Sequence, residues 1–123
     1  MHRVLIVDDA STVRLYYREV LTSPDLLLDE AVNGLEALEK ALSMPYDLYL
    51  VDVNMPTMDG YRFLAELRGH TEMKQAPAIM ISTESATHDA QAAYRAGANL
   101  YLVKPVRPEE LTLNTRLLLG APL

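Results

Sequence analysis

The chain has 123 residues, half of them hydrophobic, with no cysteine and a net charge of −6. This is the length of one domain, residues 1–123, with enough apolar side chains for one core. The missing cysteines exclude a disulfide scaffold and a thiolate metal site, and the acidic balance opposes direct binding to nucleic acid.

The opening MHRVLIVDD meets charge after four apolar residues. That run is too short for a signal-peptide core or a bilayer span, so a cytoplasmic protein without membrane contact is expected. Arg3 to Val7 is a β-branched run that stops at Asp8 and Asp9. Thr12 to Leu21 follows with a helical stripe of Val13, Tyr16, Tyr17, Val20 and Leu21, and Ser11 or Thr12 is positioned to cap it. Leu26 to Glu30 is a second, weaker strand, and Gly34 to Leu42 a second helix with Leu35, Leu38 and Leu42 on one face. Asp47 to Val51 is a third strand stopping at Asp52. The turn MPTMDG leads into a helix over Tyr61 to Leu67. Pro77 to Ile81 stops at Ser82, and the alanine-rich helix Thr87 to Ala96 ends at Gly97. Asn99 to Val103 stops at Lys104, and the last helix, Pro108 to Leu119, has proline at its start and Gly120 just beyond its end.

Runs that are apolar throughout suit parallel strands buried on both faces. Strand and helix alternate five times, so right-handed crossovers give an α/β, flavodoxin-like, doubly wound (βα)5 sandwich. The expected five-stranded parallel sheet has the order 2-1-3-4-5, with ligands beyond the carboxyl ends of its strands.

Those ends carry Asp8 and Asp9, Asp52, Ser82 and Thr83, and Lys104. In that order strand one lies beside strand three, so three carboxylates converge. Such like charges destabilise one another unless a cation sits among them. Oxygen ligands with room for water and phosphate favour Mg²⁺, and the backbone carbonyl of Asn54 is placed to complete the shell. Lys104 and the Ser82 hydroxyl face the same point. The set is complementary to a phosphoryl group on Asp52, which would act as nucleophile.

With these residues the chain resembles a response-regulator receiver domain over essentially its whole length. The resemblance rests on VLIVDD, VDVNMPTMDG, MIST and AGANLYLVKP in order, each at a strand end. It implies a phosphoacceptor at Asp52, metal ligands at Asp8, Asp9, Asp52 and Asn54, a switch hydroxyl at Ser82 and an essential lysine at Lys104. It also implies a switch aromatic at Tyr101, a cis peptide between Lys104 and Pro105, and a phosphoryl donor that is a histidine of a sensor kinase or a histidine phosphotransfer protein. Asn54 and Glu84 occupy the two positions that tune dephosphorylation in the family, and both resemble chemotaxis regulators, which implies a short-lived phosphoform. Val106 stands where many members carry phenylalanine, and Ala10 leaves the site open. Output to a protein partner is expected through the fourth helix, fifth strand and fifth helix. Leu111, Leu113, Leu117, Leu118 and Leu119 exceed a single core stripe on the last helix, which leaves room for a phosphorylation-linked homodimer.

Each residue also has a plainer reading. Asp8 and Asp9 could cap the first helix, Lys104 could be a solvated lysine, and Tyr101 an ordinary strand aromatic. Tyr16, Tyr17, Tyr61 and the alanine stripe read as packing, Met55, Met58, Met73 and Met80 as turn or core residues, and His70 as a surface histidine. His2, His70 and His88 share no helical face, so a histidine metal site is not expected. A turnover enzyme is not expected either. A phosphatase of the haloacid-dehalogenase type needs a general acid two residues after its nucleophile, where this chain has Asn54. A flavin carrier needs a phosphate-binding loop where this chain has Asp8 and Asp9. The remaining alternative is the receiver portion of a larger multidomain regulator. If the chain is whole, its output must come through a bound partner.

Overall fold

A computed structural model describes all 123 residues. Five strands, β1 (His2–Val7), β2 (Leu26–Ala31), β3 (Leu48–Asp52), β4 (Ala78–Ser82) and β5 (Leu100–Val103), alternate with five helices. These are α1 (Ser11–Leu21), α2 (Gly34–Ser43), α3 (Gly60–Gly69), α4 (Thr87–Ala96) and α5 (Pro108–Leu119). The strands form one sheet in the order β2-β1-β3-β4-β5, every pair parallel.

The three central strands are buried on both faces, and their side chains divide the core into two layers. Leu5, Val7, Tyr49, Val51, Ala78 and Met80 pack against α2, α3 and α4 through Ala37, Phe63, Leu64, Leu67 and Ala93. Val4, Ile6, Leu48, Leu50, Ile79 and Ile81 pack against α1 and α5 through Tyr17, Leu21 and Leu111. This alternation is the period-two geometry of a strand, and it explains why the central runs are apolar throughout.

The two edge strands depart from that pattern. β2 runs one residue further than the expected Leu26 to Glu30 and carries Asp29 and Glu30, while β5 leaves Val103 exposed. An edge strand can keep charged side chains because one flank is open to water. Here they are also paired. Glu30 accepts from Arg14 at 2.7 Å and from Arg18 at 2.9 Å, and Asp29 accepts from the Tyr46 hydroxyl at 2.8 Å.

Caps set several helix starts. Asn33 accepts from the Glu36 amide, Glu36 in turn accepts from the Val32 amide, and Asp59 accepts from the Arg62 amide. The expectation of a Ser11 or Thr12 cap on α1 is corrected. Both lie inside the helix, and the residue at the cap position is Ala10, with no side-chain bond to the turn. The Asp8 carboxylate instead accepts from the Ala10 amide at 2.9 Å, just before the helix begins. α4 ends at Gly97, whose φ of 114° is the left-handed conformation that glycine tolerates best.

Candidate functional site

The register of the sheet builds the site. Val7 pairs with Val51, Asp52 with Ile81 and Ser82 with Val103. The residue after Val7 therefore lies beside the end of β3, and the residue after Val103 lies beside the end of β4. Asp8, Asp52, Ser82 and Lys104 are brought together by this arrangement alone.

Asp8 is 1% exposed and Asp52 8%, whereas Asp9 points to solvent. Carboxylate oxygens of the three lie within 4.8 Å of one another. The Lys104 ammonium donates to Asp8 Oδ2 and to Asp52 Oδ1, at 3.1 Å in each case. Burial, and then the charge of Asp8, pushes the Asp52 carboxyl above the usual carboxylate range, against the opposing pull of Lys104. Burial would lower the Lys104 ammonium, but its bond to Asp52 and the charge of Asp8 outweigh this and raise it. One ammonium thus stands against three carboxylates, and the cluster retains a formal excess of negative charge. An all-oxygen set with such an excess fits a hard cation. None of the three histidines has a carboxylate of this cluster as a partner.

Ser82 is 1% exposed, and its Oγ accepts from the Glu84 amide at 3.1 Å, so its own proton is free to donate. The Lys104 amide donates to the Ser82 carbonyl at 2.7 Å and locks the two strand ends together. Thr83, Glu84 and Asn54 have exposed side chains at the rim. Tyr101 is partly buried against the α2–α4 layer, and its hydroxyl donates to the Glu84 carbonyl at 2.6 Å. The Lys104–Pro105 peptide is cis.

The loop after Asp52 is held tightly. Gly60 donates to the Val53 carbonyl at 2.9 Å, and Thr57 has a φ of 70° within a turn closed by a bond from the Met58 amide to the Pro56 carbonyl. Met58 is buried and Met55 packs against the core, as does Met73, while Met80 is fully buried in β4.

Beside the cluster lies a cavity of about 430 Å³ between α1 and the turn from β5 to α5, lined by Thr12, Tyr16, Tyr17, Thr83, Lys104 and Val106 among others. Tyr17 belongs to the core, and burial, with the charges of Asp8 and Asp52, raises its phenol above the usual range. Tyr16 does not fit a pure packing role. It is 37% exposed, and its hydroxyl donates to the Val106 carbonyl at 2.7 Å. Arg14 was also silent in the sequence, although it donates to the Asp8 carbonyl at 2.6 Å as well as to Glu30. The Tyr16 bond and the Arg14–Glu30 pair join separate segments, and no local pattern signals them.

Comparison with known proteins gives a consistent result. The family model described as response regulator receiver domain matches residues 4–116. The transcriptional regulatory protein ResD of Bacillus subtilis is 36% identical over 117 residues, covering 95% of this chain and 48% of ResD. The chain therefore spans about half the length of the curated relatives it matches. The chemotaxis protein CheY4 of Vibrio cholerae superposes with a TM-score of 0.88 at 34% identity, over 96% of this chain and 98% of that one. A CheX–CheY complex with BeF3 and Mg²⁺ from Borrelia burgdorferi gives a TM-score of 0.86 at 27% identity, over 94% and 87% of the two chains.

Proposed function

The chain belongs to the response regulator receiver family of two-component systems, and we propose that it serves as a phosphorylation switch with Asp52 as the phosphoacceptor. The observation that carries this reading is the Lys104 ammonium, held 3.1 Å from both Asp8 and Asp52 at the mouth of a buried acidic cluster. Such an arrangement makes one carboxylate a nucleophile and supplies a cation for the phosphoryl oxygens that arrive on it.

An oxygen of Asp52 attacks the phosphorus of a phosphohistidine, the P–N bond breaks and the imidazole leaves. The donor is a sensor histidine kinase or a histidine phosphotransfer protein. Asp8, Asp9, Asp52 and the Asn54 carbonyl would hold Mg²⁺, which would supply charge neutralisation for the phosphoryl oxygens. Lys104 neutralises a second oxygen, and the buried Ser82 hydroxyl donates to a third. Drawing Ser82 toward the phosphoryl group disturbs its contact with the Glu84 amide, and the same segment holds the Tyr101 hydroxyl. Ser82 and Tyr101 are thereby coupled through Glu84, which gives the local charge event a route to the surface.

That surface is the face of α4, β5 and α5, where Tyr94, Val103, Leu113 and Leu117 are exposed. It is the place for a protein target, and for a phosphorylation-linked second copy. The CheY from Borrelia burgdorferi, crystallised with CheX, supports partner binding as the mode of output. No helix is long and apolar enough to cross a membrane, and a cytoplasmic setting suits a kinase-fed switch. ResD and SrrA, about twice as long, support the reading of this sequence as the receiver portion of a larger regulator. Asn54 stands where a phosphatase of the haloacid-dehalogenase type would need an acid, which supports a switch over turnover on an external substrate.

The test is incubation with acetyl phosphate or phosphoramidate and Mg²⁺, followed by intact mass. One phosphoryl group is expected, and none on Asp52→Asn. A gain that survives this substitution would refute the assignment. Sedimentation with and without beryllofluoride tests the second copy, which an unchanged mass across concentrations would remove.

A further inference from the structure

We propose that Tyr16 is a positioning residue for Lys104, holding the turn that carries the ammonium against α1. The inference rests on the phosphoacceptor reading given above. Lys104 ends its strand and is followed by Pro105, which has no N–H to give, and then by Val106 and Arg107 before α5 begins at Pro108. The Lys104 amide is tied to the Ser82 carbonyl, and the Arg107 carbonyl accepts from Leu111 within the start of α5. Between those points the Tyr16 hydroxyl, at 2.7 Å from the Val106 carbonyl, is the tie from another element.

Packing on one side of this turn is open. Val106 is buried in the core layer, yet a solvent-open groove of about 430 Å³ runs between the turn and the face of α1 that bears Tyr16 and Tyr17. A turn flanked by an open groove has fewer packing contacts on that side, so its position depends more on directional bonds. Tyr16 is well made for that task. Its ring leans on Tyr17 with centroids 5.8 Å apart, so the hydroxyl is presented by a side chain that is itself held. Two residues before Val106 the ammonium must stay within reach of Asp52, and misplacement of a charge-stabilising group slows the chemistry more than it weakens binding.

The experiment compares the full chain with Tyr16→Phe, which keeps the ring and removes the hydroxyl. Amide hydrogen exchange is read without Mg²⁺ at Lys104 and Leu111, the two bonded amides flanking the turn. Exchange there is expected to quicken roughly threefold to tenfold, the range of one lost hydrogen bond, with β1 and β3 protected as before. With phosphoramidate and Mg²⁺, the saturating rate of Asp52 phosphorylation is expected to fall by a similar roughly threefold to tenfold factor. The Mg²⁺ concentration for half-maximal rate stays unchanged. Unaltered exchange at both amides overturns the proposal, as does an unaltered saturating rate or a loss of rate explained by Mg²⁺ affinity alone. A wild-type chain that gains no phosphoryl group overturns the phosphoacceptor reading instead, and exchange then still decides whether Tyr16 fixes the turn.

Discussion

A Cβ placed on Gly60 would stand 2.3 Å from the carbonyl oxygen of Asp52. The obstacle is backbone, so no side-chain rotation relieves it. The first residue of α3 is thereby pressed against the residue proposed to receive the phosphoryl group, and a bond from Gly60 to the Val53 carbonyl keeps it there. Gly60→Ala is expected to destabilise the fold by about 1–3 kcal/mol, or to shift the loop and with it Asp52. Gly69→Ala, at the far end of the same helix with nothing within 4 Å of its new methyl, is the control and is expected to be neutral or stabilising. Urea denaturation of the two variants checks the contrast.

The same contrast separates what the sequence discloses from what it hides. Apolar runs located all five strands, since a parallel strand between two helical layers has no polar face to spare. The charged ends of those runs located Asp8, Asp52 and Lys104, because charge at the end of a buried strand needs a partner. Helix starts were less legible. α1 begins without a side-chain cap, and the Asp8 carboxylate accepts from the amide of Ala10, the residue before the helix, a use that no Ser or Thr motif announces. The second strand, expected over Leu26 to Glu30, runs one residue further to Ala31, since backbone pairing with β1 continues past the charged pair at an open edge. Contacts such as Tyr16 with Val106, or Arg14 with the Asp8 carbonyl, depend on how α1 rotates against the sheet. They follow from packing and leave no periodic trace.

Asp52 supplies a pH-dependent test. Burial and the charge of Asp8 raise its carboxyl in the fold, so between the ordinary carboxylate value and this raised one the native state holds more protons than the unfolded chain. Stability contributed by this group falls as pH rises through that window. In metal-free buffer Asp52→Asn is therefore expected to raise the melting temperature at pH 7. The gain should shrink as pH falls toward the usual carboxylate range. Added Mg²⁺ should stabilise the parent chain more than the variant. Thermal scans with EDTA or Mg²⁺ across pH read all three outcomes, and equal melting curves at pH 7 would contradict the electrostatic argument.

Glu30 has the opposite sign. Burial opposes its charge, but bonds from Arg14 and Arg18 prevail and hold its carboxyl below the usual range. Its contribution is present above the unfolded value, about 4.3, and is lost as pH falls through the folded one. Because Arg14 and Arg18 both lie on α1, the pair also fastens the edge strand β2 to that helix. With side chains partly exposed, Glu30→Gln is expected to cost only about 1 kcal/mol at pH 7, near the upper end for surface pairs. The difference from the parent should fade in acid and in high salt, which denaturation at pH 7 and pH 3.5 would reveal.

The short lifetime proposed for the phosphoform rests on the two positions that the receiver resemblance assigns to its tuning. Asn54 and Glu84 have exposed side chains, the first two residues beyond Asp52 and the second two residues beyond Ser82 at the end of the neighbouring strand. Hydrolysis requires water to attack the phosphorus while the Asp52 carboxylate leaves, and two exposed polar side chains at the entrance can hold that water in line. A lifetime of seconds to minutes is expected for the parent chain in Mg²⁺. Replacing both residues with apolar ones of similar length, Asn54→Leu with Glu84→Met, removes the water's partners and should lengthen the lifetime about tenfold, a change of roughly 1.4 kcal/mol in the barrier. Loss of the phosphoryl group is followed by intact mass after the donor is removed. A parent phosphoform that persists for hours, or a double variant that decays as fast as the parent, would show that these side chains do not set the rate.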